Sequence, residues 1–366
     1  MTDLKNPKKE KTEEKTKKAG GEGFWEEGFN GMPYVKMGNS GLKVSKMGIG
    51  TWKFGYPEKG DGSRVDGATA IKILDRAFEL GVTFWDTANR YNNASGNSER
   101  IIGEWLKAHP GERRSVIIAT KMCGLMDGKT PNHCGLSRTN IIEAVYASLK
   151  RLQTRYIDLL YFHNIDESVP IKEQLEAVKS LMERDLVRYF GLSNVNLKQL
   201  QDYIKTAEKY SLPSPIAVEN YFNPLDGEKK GFEGVLDFCA KNGLAFVPYS
   251  PLKRGLLTGR YEKGKKAKKG DRLFDENLIE EYASEETYSK LEKLKEIANK
   301  NKISMAQLTM SYIMQMRGMG GQIPSVSSVQ QLEEHAAAAK IKLSAETLLE
   351  LKKVFVSQDI KGRKEK

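Results

Sequence analysis

Cysteine is nearly absent from this 366-residue chain: Cys123, Cys134 and Cys239 are the only three, and none belongs to a CxxC pair. An odd, widely spaced set builds no disulfide framework and suits a reducing cytoplasm better than secretion. Histidine is almost as scarce. His109, His133, His163 and His335 are scattered, so no metal-ligand cluster is indicated. No apolar run approaches a membrane span, and the Lys- and Glu-rich first twenty residues contain no segment that could act as a signal peptide. A soluble, cytoplasmic protein with no membrane partner is the expectation. Two catalytic signatures are missing as well. No GxGxxG follows a β-rich run, which removes the Rossmann fingerprint, and no nucleophile-base pair of the Ser-His type is visible.

The formal net charge of +11 looks at first like a nucleic-acid signal. It is confined to two segments. Residues 253–272 hold nine Lys or Arg against two acids, and residues 352–366 hold six against two, which accounts for the whole excess. Without interleaved aromatics such runs read as solvated surface, so no nucleic acid is expected as partner. An anionic cofactor is the better candidate for the first run. The Lys/Glu-alternating residues 1–30 read as a disordered charged tail and 358–366 as a basic one.

Between the tails, over 31–357, eight β-rich runs alternate with helical patterns: Val44 to Trp52, Val82 to Ala88, Val116 to Lys121, Tyr156 to His163, Val187 to Ser193, Ile216 to Tyr221, Leu244 to Ser250 and Gln322 to Ser327. Several are apolar throughout, as strands buried on both faces of a parallel sheet are. Capping-box spacings at Asn140/Glu143, Ser304/Gln307 and Ser328/Gln331, with Gly81 and Gly243 as helix stops, mark the helices between them. The fold class expected is α/β, a single (β/α)8 TIM barrel with additional helices after strand 7 and at the C-terminus. An open doubly wound sheet is the alternative.

A barrel gathers its active site at the carboxyl ends of its strands. There the second run ends in Asp86, the third in Lys121 and the fourth in His163, with Tyr91 in the second loop. Singly, each has a bland explanation as a cap, a solvent-facing terminus or a structural histidine. Together they form a machine for protonating an oxygen. An ammonium beside a phenol favours phenolate and lowers the phenol pKa, a carboxylate holds the ammonium, and a neutral imidazole positions a carbonyl. The electron pair must then come from a hydride-donating cofactor. A Schiff-base aldolase using Lys121 is a weaker alternative, because a neighbouring carboxylate keeps the amine protonated. Strands five to eight supply hydroxyls, amides and a helix N-terminus suited to a cofactor.

The ordered segments SGLKVSKMGIGTW, DTANRY with NSE, ATKM, YFHNID, GLSN, PYSPLKRGLLTGRY and IPSVSSVQQLEE resemble the aldo-keto reductases. That resemblance implies NAD(P)H-dependent reduction of a small carbonyl substrate, without metal. It implies Tyr91 as proton donor, Lys121 and Asp86 tuning it, and His163 orienting the carbonyl. On the cofactor side it implies Gly50, Thr51 and Trp52 at the mouth, Ser193, Asn194 and Glu219 at the carboxamide, Tyr249 on the nicotinamide face, Ser250, Leu252 and Gly255 around the pyrophosphate, and Ser325, Ser327, Gln331 and Glu334 on the last segment. Four positions depart from the commoner pattern. Glu219 replaces a Gln, Ser325 a Gly or Lys, Gln331 an Arg or Gln, and His335 an Asn. With no basic side chain from Ser325 to Gln331, the expectation is NADPH or NADH with relaxed preference, the basic loop compensating. A cofactor-binding sensor or regulatory subunit with little turnover is the competing reading. Oligomeric state and the individual substrate are not legible.

Overall fold

The computed structural model of the protein describes residues 28–355 apart from positions 127, 265, 266 and 283. The expected tails therefore lie outside the described residues, except that Phe29 bridges to Met32 and sets its ring 5.5 Å from Phe78. The strands are β1 (Tyr34–Lys36), β2 (Lys43–Ser45), β3 (Gly48–Gly50), β4 (Phe84–Asp86), β5 (Ile117–Met122), β6 (Ile157–Phe162), β7 (Val187–Ser193), β8 (Ala217–Asn223), β9 (Gly227–Glu228) and β10 (Ala245–Tyr249). The helices are α1 (Gly67–Glu79), α2 (Tyr91–Ala94), α3 (Asn97–Ala108), α4 (Arg138–Leu152), α5 (Ile171–Glu183), α6 (Leu197–Tyr210), α7 (Val235–Asn242), α8 (Arg272–Asp275), α9 (Ile279–Tyr282), α10 (Glu285–Lys300), α11 (Met305–Met314), α12 (Val329–Ala338) and α13 (Ala345–Val354).

Seven strands pair in parallel in the order β3, β4, β5, β6, β7, β8, β10, each neighbour following in sequence through a helical crossover. The eighth run, expected as a strand over Gln322 to Ser327, forms isolated bridges instead and still closes the barrel. On one side Phe246 N–H donates to Gly318 O and Gly320 N–H to Phe246 O; on the other, Gly48 donates to Gln322 O and Gly50 to Pro324 O. A regular ladder fails here because Pro324 has no N–H, while Gly320 and Gly321 lie close against the neighbouring wall. A Cβ on Gly321 would sit 2.9 Å from the Phe84 ring.

The first run also differs from expectation. Val44 to Trp52 is not one strand: β2 folds back antiparallel on β1, and only β3 enters the barrel. Ser45 makes the break. Its Oγ donates to Met47 O and accepts from the N–H groups of Thr83 and Phe84, standing in for ladder bonds. The hairpin plugs the amino end of the barrel, packing Met37, Leu42 and Val44 on Phe84, Ala119, Leu159, Ala217 and Ala245. Burial of this set and of the larger layer between strands and helices supplies the main driving force.

Helix α4 begins one turn earlier than its expected cap, with Ser137 rather than Asn140 accepting the orphan N–H. Ser304 and Gln307 form the reciprocal box at α11, and Gly243 ends α7 at φ +71°. The long connection after β10 carries α8 to α11, and α13 docks on α10 through Lys300 with Glu346 and Glu350. No helix among the described residues is long and apolar enough to cross a membrane.

Candidate active site

Strand alternation assembles the site. Inside the barrel the small or apolar residues Phe84, Ala119, Tyr161, Ala217 and Val247 belong to the inner core. Two residues further along each strand, on the same face and one level higher, come Asp86, Lys121, His163, Glu219 and Tyr249. Five polar side chains thus converge on one mouth. They border a cavity of about 480 Å³, with Lys121 buried behind it.

Tyr91 reaches the mouth from an unusual turn. Asn92, Asn93 and Ala94 all have φ between +55° and +59°, and the Asn92 side chain anchors the run by donating to Phe54 O at 2.7 Å. An Asn-Asn pair tolerates left-handed backbone better than most residues, which is the sequence signal for this turn. Lys121 Nζ lies 2.5 Å from Asp86 Oδ1 and 2.9 Å from the Tyr91 hydroxyl, and it also donates to Thr87 O. The Tyr91 hydroxyl is 3.3 Å from Asp86 Oδ1, and its ring meets the His163 ring edge-on at 5.9 Å. Tyr91 therefore neighbours each of the other three residues named for the chemistry.

Glu219 joins them. Its Oε2 stands 3.3 Å from Lys121 Nζ, and its carboxyl lies beside that of Asp86. Burial raises the Asp86 carboxyl, with Lys121 pulling against it. Glu219 is pushed well above the ordinary range, first by burial and then by the charge of Asp86. Burial alone would lower Lys121, but Asp86, Glu219 and Tyr91 reverse this and hold its ammonium charged. An amine so held is a poor nucleophile, which counts against the aldolase alternative.

Tyr91 differs from the sequence expectation. Burial raises its pKa more than Lys121 lowers it, so the phenol stays protonated in this cavity. His163 is held neutral, its pKa brought to about 3 by burial and by the positive charges of Lys121 and Arg90. A neutral imidazole beside a protonated phenol can present two hydrogen-bond donors to one carbonyl oxygen.

On the opposite wall, Gly50, Trp52, Ser193, Asn194, Glu219, Tyr249, Ser250, Leu252, Gly255, Ser325, Gln331 and Glu334 border the cavity. Thr51 does not; its hydroxyl points behind the wall to Asp86 O at 2.8 Å and to Ser98. Asn194, at φ +52°, donates to His163 O and accepts from the Tyr249 hydroxyl at 2.7 Å, which joins the two halves of the mouth. Ser250, Lys253, Arg254 and Gly255 all have positive φ. The Lys253 and Gly255 N–H groups close this tight run on Ser250 O and Leu252 O, which bends the chain around the cavity.

Lys53 was not singled out by sequence. It follows Trp52, yet its Nζ reaches across to donate to Ser327 Oγ at 2.9 Å, beside the start of α12. Burial, followed by the charges of Arg272, Arg64 and Arg260, lowers its pKa to about 8. Among the described residues no carboxylate pairs with it. In the basic loop, by contrast, Lys253 pairs with Asp226, Arg254 and Arg272 with Glu276, and Arg260 with Asp271. Nearby His335 lines the cavity with a buried Nδ1 that has no hydrogen-bond partner, and burial with Lys53 lowers its pKa to about 4. A crowded cation and an unsatisfied ring nitrogen at one end of a cavity describe a place built for an anionic, hydrogen-bonding ligand.

Comparison with known proteins agrees with this geometry. The family model described as the aldo/keto reductase family matches residues 46–355. A Schizosaccharomyces pombe protein with the provisional name aryl-alcohol dehydrogenase is 31% identical, the alignment covering 90% of this chain and 97% of the relative. The versiconal hemiacetal acetate reductase of Aspergillus parasiticus is 29% identical over 90% of this chain and 98% of its own. An Arabidopsis thaliana protein named a probable voltage-gated potassium channel subunit beta is 31% identical over 85% of this chain and 92% of its own. The chain belongs to the aldo/keto reductase family, whose common activity is NAD(P)H-dependent carbonyl reduction on a (β/α)8 barrel.

Proposed function

We propose that this protein reduces an aldehyde or ketone to an alcohol, with Tyr91 giving the proton and NADPH as the preferred cofactor. The observation that carries the reading is the hydrogen-bonded chain of Tyr91, Lys121 and Asp86 at the floor of the cavity. His163 and Tyr91 together orient the substrate carbonyl, and Lys121 stabilises the phenolate that forms as the proton leaves. Ser193 and Asn194 hold the carboxamide of the nicotinamide, with Tyr249 against its ring. The positive-φ loop from Ser250 to Gly255 receives the pyrophosphate, while Ser325, Gln331 and Glu334 flank the adenosine. Once bound, the cofactor supplies hydride.

Lys53 supports NADPH over NADH. It is a half-buried cation that no carboxylate pairs with among the described residues, 2.9 Å from Ser327 at the α12 N-terminus, and a 2′-phosphate there would supply the missing counter-charge. This narrows the expectation of relaxed preference, since the cation comes from the first barrel loop instead of the last. On the substrate side, a recess beside Trp52 carries Arg90, Asn93 and Asn164. That lining favours a carbonyl compound with polar substituents over a plain alkanal.

The test is loss of reduced-cofactor absorbance with a panel of aldehydes, ketones and sugars. Turnover in the wild type, abolished in Tyr91→Phe with cofactor affinity retained, is the expected result. A second reading, a cofactor-holding regulatory subunit, is favoured by the name of the Arabidopsis relative. Tight cofactor binding with no reduction of any carbonyl in the panel would select it.

A further inference from the structure

We propose that Glu219 is carried as a neutral carboxylic acid whose proton, passed through Asp86 and Lys121, replaces the one that Tyr91 gives to the substrate. The inference rests on the carbonyl-reducing reading above and goes beyond it, assigning Glu219 to the proton inventory of the cavity.

Beside the Tyr91 phenol, an ammonium and two carboxyls share this floor, and one positive charge serves both carboxyls. The side chains of Lys121, Asp86 and Glu219 are 1%, 1% and 3% exposed, so water screens none of them. Two ionised carboxylates beside a single ammonium would leave a net buried negative charge, which is costly. One proton must therefore stay on the pair. Asp86 is the better anion, because it takes the 2.5 Å contact with Lys121 and faces the Tyr91 hydroxyl as well. Glu219 has the longer 3.3 Å approach, and its Oε2 has no hydrogen-bond partner. The other titratable groups facing it are the phenols of Tyr91, Tyr161 and Tyr249, each raised by burial. None of these adds a positive charge that would draw the proton off.

The balance of the reaction gives this proton a use. The substrate carbon accepts hydride from the reduced nicotinamide, and the substrate oxygen accepts the Tyr91 proton. The phenolate left behind takes a proton from the Lys121 ammonium. Glu219 then yields its own proton, by way of Asp86, to restore the ammonium. At the end the cavity has lost one hydride and one proton. The positive charge gained by the oxidised ring is matched by the new Glu219 carboxylate beside Ser193 and Tyr249, which border the same cavity. No solvent proton is needed until product has left. Glutamine, the commoner residue at this position, has no proton to give.

Binding alone tests the idea. Oxidised and reduced dinucleotides carry the same phosphates and differ in ring charge, so the difference in protons released on binding isolates groups near the ring. Titration calorimetry at pH 7, in buffers of different ionisation enthalpy, should show the wild type releasing about one more proton with NADP⁺ than with NADPH. In Glu219→Gln the difference should vanish, and in Tyr91→Phe it should persist. Equal release by the two forms in the wild type, or a difference unchanged in Glu219→Gln, would overturn the proposal while leaving the reductase reading intact. Failure of the wild type to bind either dinucleotide would overturn both. Because the decisive comparison can be made in the wild type, the test survives a variant that folds poorly.

Discussion

Replacing Lys53 with methionine should separate the two nicotinamide cofactors. The substitution keeps an unbranched apolar stem of similar length in the wall and removes only the ammonium that sits 2.9 Å from Ser327 Oγ. A hydrogen bond to a charged group is worth about 1.5–3 kcal/mol, and about 1.4 kcal/mol is a factor of ten in affinity. NADPH should therefore bind roughly 10- to 150-fold more weakly. NADH lacks the 2′-phosphate and should change by no more than about threefold, the scale of small surface effects. With a free-protein pKa of about 8, the ammonium is largely charged at pH 7, so the wild-type preference should be full there and fade once the pH passes the lysine pKa in the complex. Trp52 borders the cavity with the Arg272 guanidinium 4.6 Å over its ring, which makes quenching of tryptophan fluorescence a direct binding assay. Added salt should weaken NADPH more than NADH, as charge recognition is screened. Equal loss for both cofactors in Lys53→Met, or no loss for NADPH, would refute the placement of the phosphate beside this lysine.

Two further perturbations test the frame around the site. A Cβ at Gly48 would lie 2.5 Å from Phe84 O and 3.1 Å from Gln322 O, across the seam that closes the barrel. Gly48→Ala should therefore cost at least about 2 kcal/mol in urea unfolding, whereas Gly111→Ala, with nothing within 4 Å, should stay within about 0.5 kcal/mol; equal effects would contradict the tight seam. His335, with its pKa near 4 in the folded chain against about 6.5 unfolded, binds fewer protons when folded. Its contribution is complete above pH 6.5 and is lost as pH falls through 4, an acid penalty of about 3 kcal/mol. Unfolding curves for His335→Asn should accordingly lose less stability than the wild type between pH 6.5 and 4, and parallel curves would refute a neutral buried imidazole.

Much of this was legible because barrel strands are short apolar runs whose ends are polar. VTFWD, IIATK and YIDLLYFH each announce a buried strand and the side chain that leaves it at the mouth. What the runs hid was their interruptions. Val44 to Trp52 reads as one strand because its composition is continuous, yet Ser45 diverts it into a plug, a choice made by a hydroxyl that bonds to residues some forty positions away. The last run reads as a strand too, but Gly320, Gly321 and Pro324 let it close the barrel without joining a ladder.

The sequence by itself determined the alternation of strand and helix, the polar residue closing each strand and hence the Asp86, Tyr91, Lys121 and His163 set. Period-two alternation is local, and a barrel converts it directly into convergence at one mouth. Only the tertiary structure decided which charges go unanswered. Lys53 and Ser327 are brought together across 274 positions, and cations of the basic loop turn out to pair with acids that mostly lie outside it, Asp226, Glu276 and Glu285. Glu219 appears in sequence as a lone substitution; it becomes a second carboxyl on one buried ammonium only when β4, β5 and β8 close around the same space. Burial and pairing depend on distances between residues remote in the chain, and those distances set the protonation states on which the chemistry rests.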